Sequence, residues 1–203
     1  MTNNNKHIIE SLKSGLTPIM DIQDFSDSPG IYAIGFNGSD FPFALESTSV
    51  ECGDIIYIGK TNISHKKRVL KTHFRSGRTG SSTLRRSLGA LLRDELTLKP
   101  IPRSLVNGKV RDYKFIIDSE NKLTDWMINN LTVSFYNFFG GKRLLRELES
   151  EIISILNPIL NIDGNVFNQN GSIIKELRAK CRELAKLNID YNKNCKNLYK
   201  VEV

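Results

Sequence analysis

Cysteine is scarce and unpatterned. Cys52, Cys181 and Cys195 are odd in number and none sits at CxxC or Cys/His ligand spacing, which argues against a disulfide framework and against a structural zinc. Long apolar runs are missing too. No stretch approaches the roughly 20 residues a membrane-spanning helix needs, and residues 1–15, MTNNNKHIIESLKSG, lack the apolar centre of a secretory leader. A reducing, cytoplasmic setting without a membrane anchor is the expectation. There is no internal repeat, no zinc finger and no helix-turn-helix pattern. The most telling absence is local: from Ile55 to Arg93 there is no Asp or Glu.

That acid-free stretch carries Lys60, Lys66, Lys67, Arg68, Lys71, Arg75, Arg78, Arg85, Arg86 and Arg93. The whole chain has a net charge of only +7, so this segment alone exceeds the total excess. Such a surface favours polyanionic partners, nucleic acid or an acidic membrane face. With 39% hydrophobic and 25% charged residues, the composition is that of an ordinary globular protein. A chain of 203 residues accommodates one domain with a full core, and no second hydrophobic core is apparent.

Along the chain, residues 5–15 have helical spacing, and residues 20–29 read as a loop closed by Pro29. GIYAIGF (30–36) and GDIIYIGKT (53–61) are β-branched and aromatic runs and predict strands, joined by the polar segment 37–52. A helix is expected over 65–76 with Val69, Leu70 and Phe74 inward. Gly80-Ser81-Ser82-Thr83 leads into a helix over about 83–95; its serines fit either a plain N-cap or a phosphate seat on free backbone N–H groups. Residues 96–109, with Pro100, Pro102 and Gly108, read as a loop, followed by a strand RDYKFIID and a helical turn or two around Leu123, Trp126 and Met127. Leu131–Phe139 alternates as a third central strand. The clearest helix covers 142–157, with Leu144, Leu145, Leu148, Ile152, Ile155 and Leu156 at i, i+3/i+4 spacing, and stops at Pro158. Ile173 to Leu187 forms a last amphipathic helix.

Gly30-Ile31-Tyr32 followed some two dozen residues later by Tyr57-Ile58-Gly59 resembles the signature of the GIY-YIG nucleases. The ordered set extends further, through Lys60, Arg68, His73 and Glu149, with Pro158 nine and Asn161 twelve residues after the glutamate. The GSSTLRRSLGALL stretch also resembles a bacterial subgroup of the family. The resemblance implies an α+β fold: a small central antiparallel or mixed β-sheet of about three strands flanked by helices. It divides the chain into a lead-in (1–28), a nuclease core (29–162) and a C-terminal amphipathic helix with a polar tail packed on the same domain (163–203).

The function implied is a metal-dependent DNA endonuclease, acting in restriction or phage defence, mobile elements or repair. The site residues implied are Tyr32, Tyr57, Lys60, Arg68, His73, Glu149 and Asn161. Glu149 would hold one Mg²⁺ or Mn²⁺, which suits a site poor in acids because Mg²⁺ keeps much of its hydration shell. Arg68 would stabilise charge on the phosphate. Tyr57, with Tyr32, would activate or position water, and Asn161 would hold a strand end. Lys66, Lys67, Lys71, Arg75, Arg78, Ser81, Ser82, Arg85 and Arg86 would grip flanking nucleic acid. One site cuts one strand, so double-strand cleavage would need a homodimer or two successive events.

Other readings of the same residues stand beside this one. Tyrosines in strands commonly pack, and Glu151 is an alternative ligand two residues from Glu149. The Arg68–His73 spacing is the sharpest question. Five residues on a straight α-helix place two side chains about 140° apart, so either an irregularity intervenes or His73 points elsewhere. A nucleic-acid-binding module that does not cut is the alternative function. An interaction protein whose basic face meets an acidic partner leaves the motif spacing unexplained.

Overall fold

The computed structural model describes residues 3–39, 41, 49–106 and 109–188. In chain order the elements are α1 (Asn3–Ser14), β1 (Thr17–Pro18), β2 (Gly30–Phe36), β3 (Ile55–Thr61), a π-helix (Lys66–His73), α2 (Thr83–Leu91), β4 (Pro100–Val106), β5 (Lys109–Phe115), α3 (Ile117–Asn130), β6 (Leu131–Asn137), α4 (Gly141–Leu156) and α5 (Gly171–Leu187). Short 3-10 turns lie at Ile19–Asp21 and Thr79–Ser81. The fold is α+β, as expected. No helix among the described residues is long and apolar enough to cross a membrane.

Two compact units make up the chain: Met1–Phe74 with Asp125–Ser172, and Arg75–Thr124 with Ile173–Val203. The first holds a four-stranded antiparallel sheet in the order β1-β6-β2-β3. Its three long strands are the three expected from sequence. β1 is an unanticipated fourth, only two residues long, too short for alternation to announce it. Ile31, Ala33 and Ile58 on one face of the sheet pack with Ile8, Ile9 and Leu12 of α1 and Leu145, Leu148 and Ile152 of α4. All seven residues of β2 are buried, so this central strand reads as a continuous apolar run, as a strand covered on both faces does.

β3 is an edge strand, and its free edge is covered. The Leu160 N–H donates to the Ile56 carbonyl at 3.0 Å. Asn161 takes the next position: its Oδ1 accepts from the Ile58 N–H and its Nδ2 donates to the Ile58 carbonyl, each at 2.8 Å. The segment after Pro158 therefore does what a fifth strand would do, satisfying backbone groups that an edge leaves open.

The second unit has its own buried set, including Leu84, Leu88, Leu91, Tyr113, Phe115 and Cys181, which helical and strand periodicity alone does not separate from the first. Residues 96–109 are not all loop: β4 starts at Pro100 and pairs with β5. Proline is tolerated there because a two-stranded ribbon has only edge strands, and the register slips between Pro102 and Ser104. α3 runs for 14 residues rather than a turn or two. Ser82 caps α2, its side chain accepting from the Arg85 N–H at 3.1 Å.

The expected helix over 65–76 is a π-helix over Lys66–His73. The Phe74 N–H donates to the Val69 carbonyl, five residues back, at 3.0 Å. Val69 and Phe74 are buried as expected, while Leu70 is turned out and exposed. The wider turn of a π-helix, with its i→i+5 hydrogen bonds, brings residue i+5 back to the side of residue i.

Candidate active site

Tyr32 and Gly59 oppose each other across the β2–β3 ladder. Directly opposed residues share one face of a sheet, and the Tyr32 ring lies so close over Gly59 that a Cβ there would fall 2.4 Å from its Cζ and Oη. The tyrosine of the first motif therefore requires the glycine of the second. Tyr57 opposes Ile34 and emerges on the same face, its ring centroid 6.3 Å from that of Tyr32. Gly30 is required for another reason: a Cβ on it would lie 2.0 Å from the Tyr136 carbonyl oxygen and 2.8 Å from His65 Nε2.

The π-helix brings both of its candidate side chains, Arg68 and His73, to Tyr32. The hydroxyl lies 2.7 Å from His73 Nε2 and accepts a hydrogen bond from Arg68 Nε at 3.4 Å. One hydroxyl, that of Tyr32, thus holds Arg68 and His73 together. Burial holds the Tyr32 phenol well above its ordinary pKa, and the neighbouring Tyr57 adds to this against the opposing pull of Arg68. Burial works against the Arg68 charge, but Tyr32, Tyr57 and Glu149 more than offset it, and its pKa lies above the usual arginine value. Arg68 is a secured cation.

Lys60 leaves β3 on the opposite face, beside Ile31, and pairs with Glu149 of α4. Both are accessible, with side chains 25% and 18% exposed. Glu149 is close enough to act electrostatically on Tyr32 and Arg68. Glu151 is directed elsewhere, accepting from Asn5 Nδ2 of α1 at 2.6 Å. Six side chains thus gather at one end of β3: Tyr32, Tyr57, Lys60, Arg68, His73 and Glu149. Asn161 fixes the backbone of Ile58, between Tyr57 and Gly59.

A family model for the GIY-YIG catalytic domain matches residues 30–184. The chain belongs to the GIY-YIG family. The match begins at the first motif glycine and runs into α5, so both compact units carry family sequence. No curated protein and no solved structure matches the chain. A GIY-YIG catalytic domain makes the function one of nuclease type.

No group of three or more His, Cys, Asp or Glu that could hold a metal occurs among the described residues. The donor set here is one partly exposed carboxylate, Glu149. It fits a Mg²⁺ or Mn²⁺ ion that keeps most of its waters and takes further oxygens from a substrate phosphate; it does not fit a caged ion.

The residues expected to grip nucleic acid differ in exposure. Lys66, Lys67 and Lys71 of the first unit are exposed, as are Arg75, Arg78 and Ser81 of the second. Ser82 and Arg85 are fully buried, and Ser82 is the helix cap. Arg85 Nη2 pairs with Glu120 Oε2 at 2.8 Å and donates to the Glu120 carbonyl at 3.1 Å, while its Nε donates to Thr79 Oγ1 at 3.2 Å. Its charge is spent inside the second unit and offers nothing to a ligand. Arg86 is partly exposed and pairs with Asp112.

His65 is the residue that sequence reasoning passed over. It is fully buried, packs edge-on to Tyr32 and against Phe135, and neither ring nitrogen has a hydrogen-bond partner of good geometry. Burial lowers its pKa to about 4, against a weak opposing pull from the Tyr136 backbone. Its proximity to Gly30 was the available signal, but only through the fold.

Proposed function

We propose that this protein is an endonuclease that hydrolyses phosphodiester bonds in DNA. The observation that carries the reading is the convergence of Tyr32, Tyr57, Arg68 and His73 on one face of β3, with Lys60 and Glu149 joining from the other. Arg68 binds the scissile phosphate and offsets the charge that builds on it as the fifth oxygen approaches. Tyr57, the less buried of the two tyrosines, orients the attacking water. Tyr32, bonded to both Arg68 and His73, holds these two side chains in place beside the phosphate. A divalent cation on Glu149 would supply Lewis acidity to the phosphate and to the departing oxygen. Lys60, beside that carboxylate, is placed to donate to a phosphate oxygen once Glu149 is otherwise engaged.

Incubation of supercoiled plasmid with the protein and Mg²⁺ or Mn²⁺ tests the reading. Wild type should give nicked and then linear product, whereas Arg68→Ala and Glu149→Gln should melt like wild type and leave the plasmid intact. Wild type that binds DNA with either metal and never cuts it makes the protein a binding module instead.

A further inference from the structure

The loop that follows α4 is held from within and apolar at its tip. Asn157 ends α4 in the left-handed region, at φ 45°. Its Nδ2 donates to the Phe167 carbonyl at 3.2 Å, and its Oδ1 accepts from Asn165 Nδ2 at 2.9 Å. Asn168 Nδ2 donates to the carbonyls of Ile159 at 2.7 Å and Asn161 at 3.0 Å. Against this bonded frame two adjacent apolar residues stand in solvent: Val166 is 87% exposed and Phe167 59%. Single exposed apolar residues are ordinary, but a neighbouring Val and Phe held out by a bonded loop make a patch.

Beside that knob lies a hole. A cavity of about 220 Å³ is walled by Ile55 and Ile56 of β3 and by Leu156 and Ile159. Asn157 belongs to both features, lining the cavity while it holds the Phe167 backbone. Lys13 of α1 and Asp54, both exposed, stand at the mouth. A cavity of about 150 Å³ already takes a benzene ring, so this one is large enough for a phenylalanine side chain. Phe167 of the same chain does not line it. Knob and hole both belong to the first compact unit, and the hole lies at the end of β3 opposite Lys60.

We propose that this face is an interface between two copies of the chain, with Phe167 of each copy seated in the cavity of the other. A knob and a hole side by side on one surface are self-complementary about a two-fold axis, because each copy receives what it gives. The mouth carries one charge of each sign, so Lys13 of either copy can pair with Asp54 of the other. A polyanion finds no such match on an apolar knob and a mouth without net charge. The pairing does not depend on the nuclease reading; given that reading, the dimer carries two complete sites.

Sedimentation equilibrium of the full chain across about 1–100 µM tests it. Wild type should sediment as a dimer that dissociates on dilution. Phe167→Asp removes both knobs of the symmetric pair. Losing one aromatic anchor weakens binding about 30-fold or more, so the dissociation constant should rise about 1000-fold and the variant should run as a monomer. Phe167→Ser should do the same, which separates the missing ring from the new carboxylate. Ser49→Trp, at an exposed position lining the cavity, should block the hole and also give a monomer. These positions are exposed, so all three variants should melt like wild type. Mixed together, Phe167→Asp and Ser49→Trp should associate, since one keeps its hole and the other its knob. Wild type that stays monomeric at about 100 µM, a dimer indifferent to the Phe167 variants, or a mixture that associates no better than its parts overturns the interface. The plasmid assay is unaffected by any of these outcomes.

Discussion

Replacing Gly59 by alanine should disable the site through Tyr32, although Gly59 itself carries no reactive group. The added Cβ would lie 2.4 Å from both Cζ and Oη of Tyr32. Contact without overlap needs roughly 3.5 Å, so the ring end must move by about 1 Å. Tyr32 is fully buried, between β2 and the π-helix residues it bonds, and has nowhere to go without leaving them. Its 2.7 Å contact with His73 and its 3.4 Å contact with Arg68 do not both survive such a shift, since hydrogen bonds weaken steeply beyond about 3.5 Å. A displacement of this size in a reacting constellation costs on the order of 100-fold in rate. Overpacking the core costs roughly 1–3 kcal/mol, which for a chain this long lowers Tm by about 2–12 °C.

Plasmid nicking under excess protein gives the rate, and thermal unfolding followed by circular dichroism gives the stability. The decisive measurement is the cycle with Tyr32→Ala. If the clash is with Tyr32, Gly59→Ala should cost little further stability in the Tyr32→Ala background, because the ring that collides is gone, while cutting stays absent. Stability losses that simply add would show the two residues to be uncoupled. Gly59→Ala cutting at the wild-type rate with an unchanged Tm would refute the reasoning outright.

Other perturbations test other parts of the architecture. Lys60→Met should tighten Mn²⁺ binding about 5-fold, read by electron paramagnetic resonance, because a partly exposed pair contributing about 1 kcal/mol no longer competes for Glu149; unchanged or weaker binding would show that the ammonium does not compete. Asn161→Ala leaves both backbone groups of Ile58 without their partner and should cost about 2–4 kcal/mol in urea denaturation; a loss under about 1 kcal/mol would mean water replaces the amide. His65 should make the protein sensitive to acid. Its pKa is about 4 when folded against 6.5 when free, so the unfolded chain binds the extra proton between those values. Its contribution is complete above pH 6.5 and lost as pH falls to 4, about 3 kcal/mol in all. His65→Phe should flatten stability across that window, and a wild type already flat there would refute the assignment.

Where sequence reading worked, one physical signal sufficed. β2 is legible because a strand buried on both faces must be apolar throughout, and 30–36 is; β3 is legible from the apolar run Ile55–Ile58 that precedes Gly59, Lys60 and Thr61. α4 is legible because it buries one stripe, and the stripe spacing also sets Glu149 at a fixed distance from Pro158 and Asn161. The failures have causes just as definite. Pro100 and Pro102 signal a break, yet β4 tolerates them as an edge strand with an irregular register. Arg85 reads as one more surface cation because its neighbours are cations. What buries it is Glu120, 35 residues on, and no local pattern carries that pairing.

The five-residue step from Arg68 to His73 was legible in its spacing and illegible in its outcome. Helical geometry says that such a step cannot serve one site on an α-helix, and it names two resolutions. The structure takes the first: the π-helix turns 68 with 73 and 69 with 74 onto common faces and turns Leu70 out. Arg68 and His73 then both meet the Tyr32 hydroxyl. On an α-helix the same step would turn His73 about 140° from Arg68; the wider π turn brings both to one face. Deleting one residue between Arg68 and His73 should therefore be tolerated only if the helix relaxes to α, where an i, i+4 pair again shares a face.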